Sequence, residues 1–418
     1  MLFRHRQRAL TVDRCTIARL GHRGDGIAGE PAIYVRRTLP GEIVEGEVLE
    51  GRMVAPRILT PSPERVRPPC RHYKSCGGCD LMHASDDFVA GWKVDVVRAA
   101  LAAHGLEAPI RRIVTSPPRS RRRAVLSGVR TKSGAVVGFH GRASSSVVSV
   151  PGCEVLDPAI IAAFPLLEAF VRAGAPRKGE IRLAVTVSEA GLDVAVSEAK
   201  LVDRDLFSRL AGIAAEAGFA RLSWNGETLV QAAPPVVPMG RAMVVPPPGA
   251  FLQATRAGEE ALVGAVREAL AGADRVLDLF AGAGTFALPL AEGAEVHAVE
   301  GDEALVSALD GGWRGAAGLK RVTTETRDLF RRPLLAEELA RYDGAVMDPP
   351  RAGAAAQSQM LAVAGPDRIA SVSCNPGTFA RDATVLVRGG YRLDWVDVID
   401  QFRWSPHIEV AACLTRVK

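Results

Sequence analysis

Cys374 stands in Ser371-Val372-Ser373-Cys374-Asn375-Pro376, a short way downstream of Asp348-Pro349-Pro350-Arg351. Further back, Asp278-Leu279-Phe280-Ala281-Gly282-Ala283-Gly284 joins an apolar segment to a helix-forming one. Glycines at a strand-to-helix turn let the backbone bend tightly and approach a ligand. A bound small cofactor and a positioned thiol are therefore expected at one site. Few reactions need both, and methylation of carbon 5 of a pyrimidine is one of them. Carbon 5 of uracil is a poor nucleophile. A thiolate added at carbon 6 makes an enolate that can attack a methyl sulfonium, so one difficult step becomes two easier ones. Carbon 5 then carries both methyl and hydrogen, and a base must remove that hydrogen before the cysteine is expelled. Cys374 is the expected nucleophile. For the base, His407-Ile408-Glu409 offers two groups on one side of a strand, with Glu409 preferred and His407 second. Without its neighbours, Cys374 would read as a small buried hydrophobe, which is the role expected of Cys15 and Cys413.

Gly282 and Gly284 are the expected close-approach positions of the cofactor pocket. Glu300 ends the following strand, about twenty residues on, where a carboxylate can bind ribose hydroxyls. The third glycine of the dinucleotide fingerprint is missing, since Phe286 or Ala287 stands near its place. That favours S-adenosylmethionine, which has no pyrophosphate to cradle, over NAD. Asp328, in Thr326-Arg327-Asp328-Leu329, is a candidate contact to adenine or a solvated loop residue. Two prolines after Asp348 fix a rigid loop at the carboxyl edge of the sheet, where ligands bind. Adenine-N6 methyltransferases place an aromatic residue after Asp-Pro-Pro. Arg351 stands there instead, which argues against an exocyclic amine as the target.

The chain has seven cysteines. An odd number with uneven spacing argues against a disulfide framework. Cys70, Cys76 and Cys79 fall in one short stretch, with Gly77 and Gly78 between the last two, and Cys153 is the nearest free fourth. Zinc sites usually show two paired knuckles. A triplet with a distant fourth fits an iron–sulfur cluster better, with zinc as the alternative. Arg119, Arg121, Arg122 and Arg123 lie between these ligands and could meet phosphates or form a solvated run.

At 418 residues the chain should hold two or three domains. Residues 1–60 alternate apolar and polar positions between close turns, as in a five-stranded oligonucleotide-binding barrel. Residues 61–245 read as a central unit. It opens on the cysteine segment and a helix over Asp86–His104, and continues into a hairpin-rich sheet. Residues 246–418 alternate strand and helix, ending in an antiparallel hairpin at the sheet edge. The fold expected is α/β: an OB-like β-barrel, a central α+β domain and a Rossmann-like domain. Residues 1–150 carry 25 Lys+Arg against 13 Asp+Glu, while the rest carries 27 against 34, so the front half is the expected partner of a polyanion. Met1–Leu10 is basic without a signal-peptide core, and no apolar run spans a bilayer. A cytoplasmic protein without a membrane partner is expected, and a monomer, because no helix shows a coiled-coil seam.

With these residues in view, the chain resembles the uridine-5 RNA methyltransferases, in particular the iron–sulfur branch that modifies large-subunit ribosomal RNA. The resemblance covers nearly the whole length. Residues 12–50 are similar to the family's TRAM domain, a small RNA-binding barrel. Cys70, Cys76, Cys79 and Cys153 match its [4Fe-4S] ligands. Phe251-Leu252-Gln253 matches the motif whose Gln contacts the cofactor, and Phe280, Glu300 and Asp348 fall on further cofactor positions. Ser373 to Asp382 matches the nucleophile motif and His407-Ile408-Glu409 the base motif. The resemblance implies methylation of carbon 5 of a uridine, with 23S ribosomal RNA as the expected partner. The rival target is the T-loop uridine of transfer RNA, in a branch that generally lacks the cluster and the barrel. A cytosine-5 enzyme would carry a different nucleophile motif. A non-catalytic iron–sulfur RNA-binding protein would have no need of Gln253, Cys374 and Glu409 together.

Overall fold

The computed structural model describes residues 12–417. The basic start, Met1–Leu10, lies outside the described residues. Six short strands between Val12 and Thr60 form one curled sheet, with Ile17, Ala28, Val35, Val44 and Met53 packed as its core. Six strands form where five were expected, because the short strands Arg19–Leu20 and Gly26–Ala28 pair as a hairpin that joins the sheet edge through Ile33–Val35. A seven-stranded sheet follows, with Arg123–Thr131 beside Glu180–Ser188 at its centre. The helices Phe164–Gly174 and Arg204–Ala217 bury Leu167, Phe170, Leu206 and Leu210 against it.

The third sheet positions the site. Its strands are β1 (Ile110–Thr115), β2 (Arg275–Leu279), β3 (Glu295–Glu300), β4 (Val322–Thr326), β5 (Gly344–Met347), β6 (Arg368–Ser373), β7 (Tyr391–Asp400) and β8 (Glu409–Arg416). They lie in the order β4-β3-β2-β5-β6-β8-β7-β1. β2 to β6 are parallel, and β2, β5 and β6 are buried on both faces almost throughout, as parallel strands covered by helices must be. The strand order reverses between β2 and β5. In open α/β sheets ligands bind in the crevice at the carboxyl ends of strands at such a switch point. Here the Phe280 turn and the Asp348 loop leave the sheet side by side.

β7 and β8 form the expected antiparallel hairpin, but it does not lie at the edge. β1 pairs parallel with β7 and covers it. α1 (Asp86–Ala102) starts on a Ser85 cap and packs against α2 (Pro376–Arg388). The segment from Asp86 to Thr115 was expected within the central unit, yet it completes the C-terminal sheet. A buried carboxylate explains the docking. Asp397 of β7 is 1% exposed and accepts from Arg111 Nε at 3.0 Å and Arg112 Nε at 2.9 Å. A buried carboxylate needs such partners, and β1 brings two. No helix among the described residues is long and apolar enough to cross a membrane.

Candidate active site

A cleft of about 1030 Å³ opens at the switch point. It exceeds the usual size of a single small-ligand pocket, so there is room for a cofactor and a nucleobase together. Gln253, Phe280, Gly282, Glu300, Asp328, Asp348, Cys374 and Glu409 all line it. These side chains span more than 150 positions of sequence and converge on one space.

One half of the cleft is built on β2, β3 and β5. Phe280 leaves β2 with φ of 64°, a left-handed conformation uncommon for a bulky residue, and its ring meets that of Phe330 at 5.4 Å. Gly282 has φ of 55°, and a side chain there would meet nothing within 4 Å, so its backbone faces open cleft. Its N–H donates to Glu300 Oε2 at 3.0 Å, while Glu300 Oε1 accepts from Gly301 and Asp302 N–H groups. Gly284 does not line the cleft. A Cβ there would come within 2.7 Å of Leu288 and 3.0 Å of Leu309. Packing of helix against turn requires this glycine, as at the last position of a dinucleotide fingerprint. Asp328 lines the cleft, but its Oδ1 accepts from Phe330 N–H at 2.9 Å, so part of its carboxylate caps its own turn. Phe330 carried no sequence signal beyond being aromatic.

The reactive half follows from strand register. Ser373 of β6 pairs with Val410 of β8 in an antiparallel ladder, so Cys374 and Glu409 follow that pair at the same end of the two strands, and both line the cleft. Asn375 caps α2 through its side chain, accepting from Gly377 N–H at 3.0 Å, which fixes the turn carrying the thiol. Burial, and then the carboxyls of Glu409 and Asp348, push the Cys374 thiol up to about 11, while Arg351 pulls it down. Burial, then Asp348, raises Glu409 to about 8, against a hydrogen bond from Gln401 and the charge of Arg351. Burial also raises Asp348 to about 7. This part of the cleft thus resists negative charge.

Two partners escaped the sequence reading. Gln401 Nε2 donates to Gln253 Oε1 at 2.6 Å, and Gln401 Oε1 accepts from Ala254 N–H at 2.8 Å. Arg351 donates to His407 Nδ1 at 2.6 Å. A guanidinium has no lone pair to accept with, so His407 is the acceptor. Desolvation by the cleft walls, and next the cations of Arg351, Lys93 and Arg121, lower His407 to about 4.

The cysteine segment forms the outer wall. Gly77, Gly78, Asp80, Arg121 and Phe139 line the cleft, with the Arg121 guanidinium over the Phe402 ring at 5.4 Å. Behind them, Cys70, Cys76, Cys79 and Cys153 line a second, smaller cavity. Gly78 N–H donates to Cys76 Sγ and Val155 N–H to Cys153 Sγ, both at 3.4 Å. Burial raises the thiols of Cys76, Cys79 and Cys153. Among the described residues no group of three or more His, Cys, Asp or Glu side chains is set to hold a metal ion. The four thiols that line this one cavity are the donor set that a polynuclear iron–sulfur group would need. Three of the arginines that could meet phosphate or form a solvated run are otherwise engaged. Arg119 pairs with Glu154, Arg122 with Glu259, and Arg123 Nε donates to the Ala250 carbonyl at 2.8 Å. A run of like charges in sequence is here split among separate partners.

A family model described as tRNA (uracil-5-)-methyltransferase matches residues 315–417. An RNA methyltransferase of Caulobacter vibrioides is 44% identical over 412 residues, covering 96% of this chain and 99% of the relative. The 23S rRNA (uracil(1939)-C(5))-methyltransferase RlmD of Chromohalobacter salexigens is 34% identical over 440 residues, covering 97% and 90%. Among solved structures, the Pyrococcus abyssi tRNA (uracil-54, C5)-methyltransferase in complex with S-adenosyl-L-homocysteine superposes with a TM-score of 0.75 at 22% identity, covering 96% and 99%.

Proposed function

We propose that this chain, which belongs to the RNA (uracil-5-)-methyltransferase family, methylates carbon 5 of a uridine in 23S ribosomal RNA through a covalent adduct on Cys374. The observation that carries the reading is the register that brings a thiol and a carboxyl to the same end of neighbouring strands, in the wall of one cleft. The 34% identity to an enzyme named for 23S rRNA supports the substrate.

Gln253, Phe280, Gly282, Glu300, Asp328 and Asp348 would hold the cofactor. Bound S-adenosylmethionine supplies an electrophilic methyl on a sulfonium. Cys374, having lost its proton to solvent, adds through Sγ to carbon 6 of an unstacked uracil, and the π electrons move onto carbon 5 and the adjacent carbonyl. After carbon 5 gains the methyl, Glu409 takes its hydrogen as a proton. The C5–C6 double bond reforms and the Sγ–C6 bond breaks, returning its electrons to sulfur. Arg351 beside the thiol stabilises its anion. His407 is the weaker candidate for the base, since its Nδ1 lone pair already accepts from Arg351.

Both reacting groups must be ionised, and both are held up by burial. Release of methylated RNA from the Cys374 adduct is therefore expected to rise with pH from 6 towards 9, with the limb near pH 8 belonging to Glu409. A stopped reaction series across that range checks it, and a flat profile would count against the assignment. The substrate is tested with tritiated S-adenosylmethionine and separated 23S, 16S and transfer RNA lacking 5-methyluridine. Label in a 23S uridine is the expected result. Label in transfer RNA keeps the chemistry and replaces the substrate, and no label in any pool overturns the reading.

The curled sheet of residues 12–60 serves, on this reading, as a TRAM-type RNA-binding barrel. Cys70, Cys76, Cys79 and Cys153 would hold a [4Fe-4S] cluster. Methyl transfer needs no electron from it, so its work is to order the wall of the cleft. Anaerobically prepared protein is expected to carry iron and sulfide, and Cys79→Ser to lose both together with the visible absorbance. Zinc in place of iron would overturn this assignment.

A further inference from the structure

The span from Gln401 to Ile408 joins β7 to β8 and carries Phe402 and His407 to the cleft before Glu409 opens the next strand. It has no ladder of its own, and buried backbone polar groups need partners. A residue more than 300 positions away supplies them. Lys93, on the buried face of α1, donates from Nζ to Asp400 Oδ1 at 2.5 Å, to the His407 carbonyl at 3.0 Å and to the Phe402 carbonyl at 3.4 Å. An ammonium has three donors, and all three go to the two ends of one connection. Asp400 Oδ1 also accepts from Phe402 N–H at 3.1 Å. The outer turn is docked as well: Trp404 Nε1 donates to Asp86 Oδ1 at 3.0 Å, and the Trp404 carbonyl accepts from Asp80 and Leu81 N–H groups at 2.9 Å.

Lys93 is 0% exposed and Asp400 is 1% exposed. Taking both charges out of water is expensive, and a well-packed apolar pair often serves stability as well or better. An apolar pair cannot bind two carbonyls. We infer that Lys93 is a positioning residue: it fixes both ends of the β7–β8 connection so that Glu409 meets the proton on carbon 5 of the Cys374 adduct. The inference rests on the reading of Glu409 as the base. Cys374 rides on β6 and α2, which Lys93 does not hold. Loss of Lys93 should therefore slow release of the adduct more than its formation.

The test uses the full chain and the RNA that the wild type methylates. Lys93→Met and the apolar pair Lys93→Met/Asp400→Leu are compared with Glu409→Gln. Melting, affinity for S-adenosylhomocysteine, turnover and covalent RNA–protein adduct on a denaturing gel are read for each. The double variant is expected to melt near the wild type and bind S-adenosylhomocysteine equally well. Its turnover should fall about 100-fold, the loss expected from a misplacement of about 1 Å, with adduct accumulating. Adduct in Glu409→Gln but none in the double variant overturns the positioning role. Adduct in neither overturns the base assignment beneath it. A double variant that fails to fold, or that loses turnover and cofactor affinity together, makes Lys93 a structural residue and likewise overturns the inference.

Discussion

Cys374→Ala is expected to abolish methyl transfer, by at least about 10³-fold, while leaving binding of RNA and of S-adenosylhomocysteine unchanged. The effect should be this large because nothing else in the cleft can do the same work. Without a bond at carbon 6, carbon 5 stays electron-poor, and no orientation of the cofactor repairs that. Binding should persist because the thiol is an isolated contributor. The half of the cleft that would hold the cofactor is built on β2, β3 and β5, and Cys374 enters only at the end of β6. The half-buried thiol faces the cleft, so its removal leaves no closed cavity in the core, and melting should shift little. Cys374→Ser is the stricter variant. It keeps the size and a polar atom, yet a hydroxyl is a far weaker nucleophile than a thiol, so it should be nearly as inactive. The measurement is transfer of tritiated methyl alongside a filter-binding titration of the same RNA. Retained methylation in either variant would remove Cys374 from the mechanism, and loss of binding in both would make it a structural residue.

How much of this was legible in the sequence depends on distance along the chain. Turn chemistry is local, and the local motifs landed where they were read. Asp348-Pro349-Pro350 leaves β5 at the switch point, and Cys374 follows directly on β6. The pairing of Ser373 with Val410 spans nearly forty residues, but the short motifs on each strand mark both ends of it. Long-range polar contacts left no such mark. Lys93 is an ordinary lysine on an amphipathic helix until Asp400 arrives from the far end of the chain. Arg111 and Arg112 read as part of a basic surface until Asp397 claims them, and with them β1 moves from the central unit to the C-terminal sheet. Gln401 had no signal at all, since a glutamine between a buried strand and a loop matches no period. Gly284 shows the opposite failure. The glycine pattern was recognised, but whether a glycine serves a ligand or a packed helix depends on what lies beyond the missing Cβ. Only the structure supplies Leu288 and Leu309.

Glu409→Gln should stop the reaction one step later, and so leave a visible product. The variant keeps the shape of the side chain and one acceptor for the hydrogen bond with Gln401. Because burial holds the wild-type carboxyl up to about 8, the resting protein at neutral pH already carries a mostly neutral group there. A neutral amide therefore perturbs the fold little, and the free thiol should add to carbon 6 about as readily. Methyl transfer to carbon 5 should also proceed, since it requires no proton to move. What fails is removal of the hydrogen that carbon 5 still carries. A positioned base contributes about 10² to 10⁴ in rate, and turnover should fall by that factor. Methylated RNA should meanwhile remain bound to Cys374 and survive denaturation. A gel showing tritium co-migrating with protein, released by no heating short of hydrolysis and absent in Glu409→Gln/Cys374→Ala, would identify both residues at once. His407→Ala is the discriminating control. His407 donates no lone pair to the reaction while Arg351 occupies it, so this variant should turn over without storing adduct. Adduct accumulating in His407→Ala and not in Glu409→Gln would transfer the role of base to the imidazole.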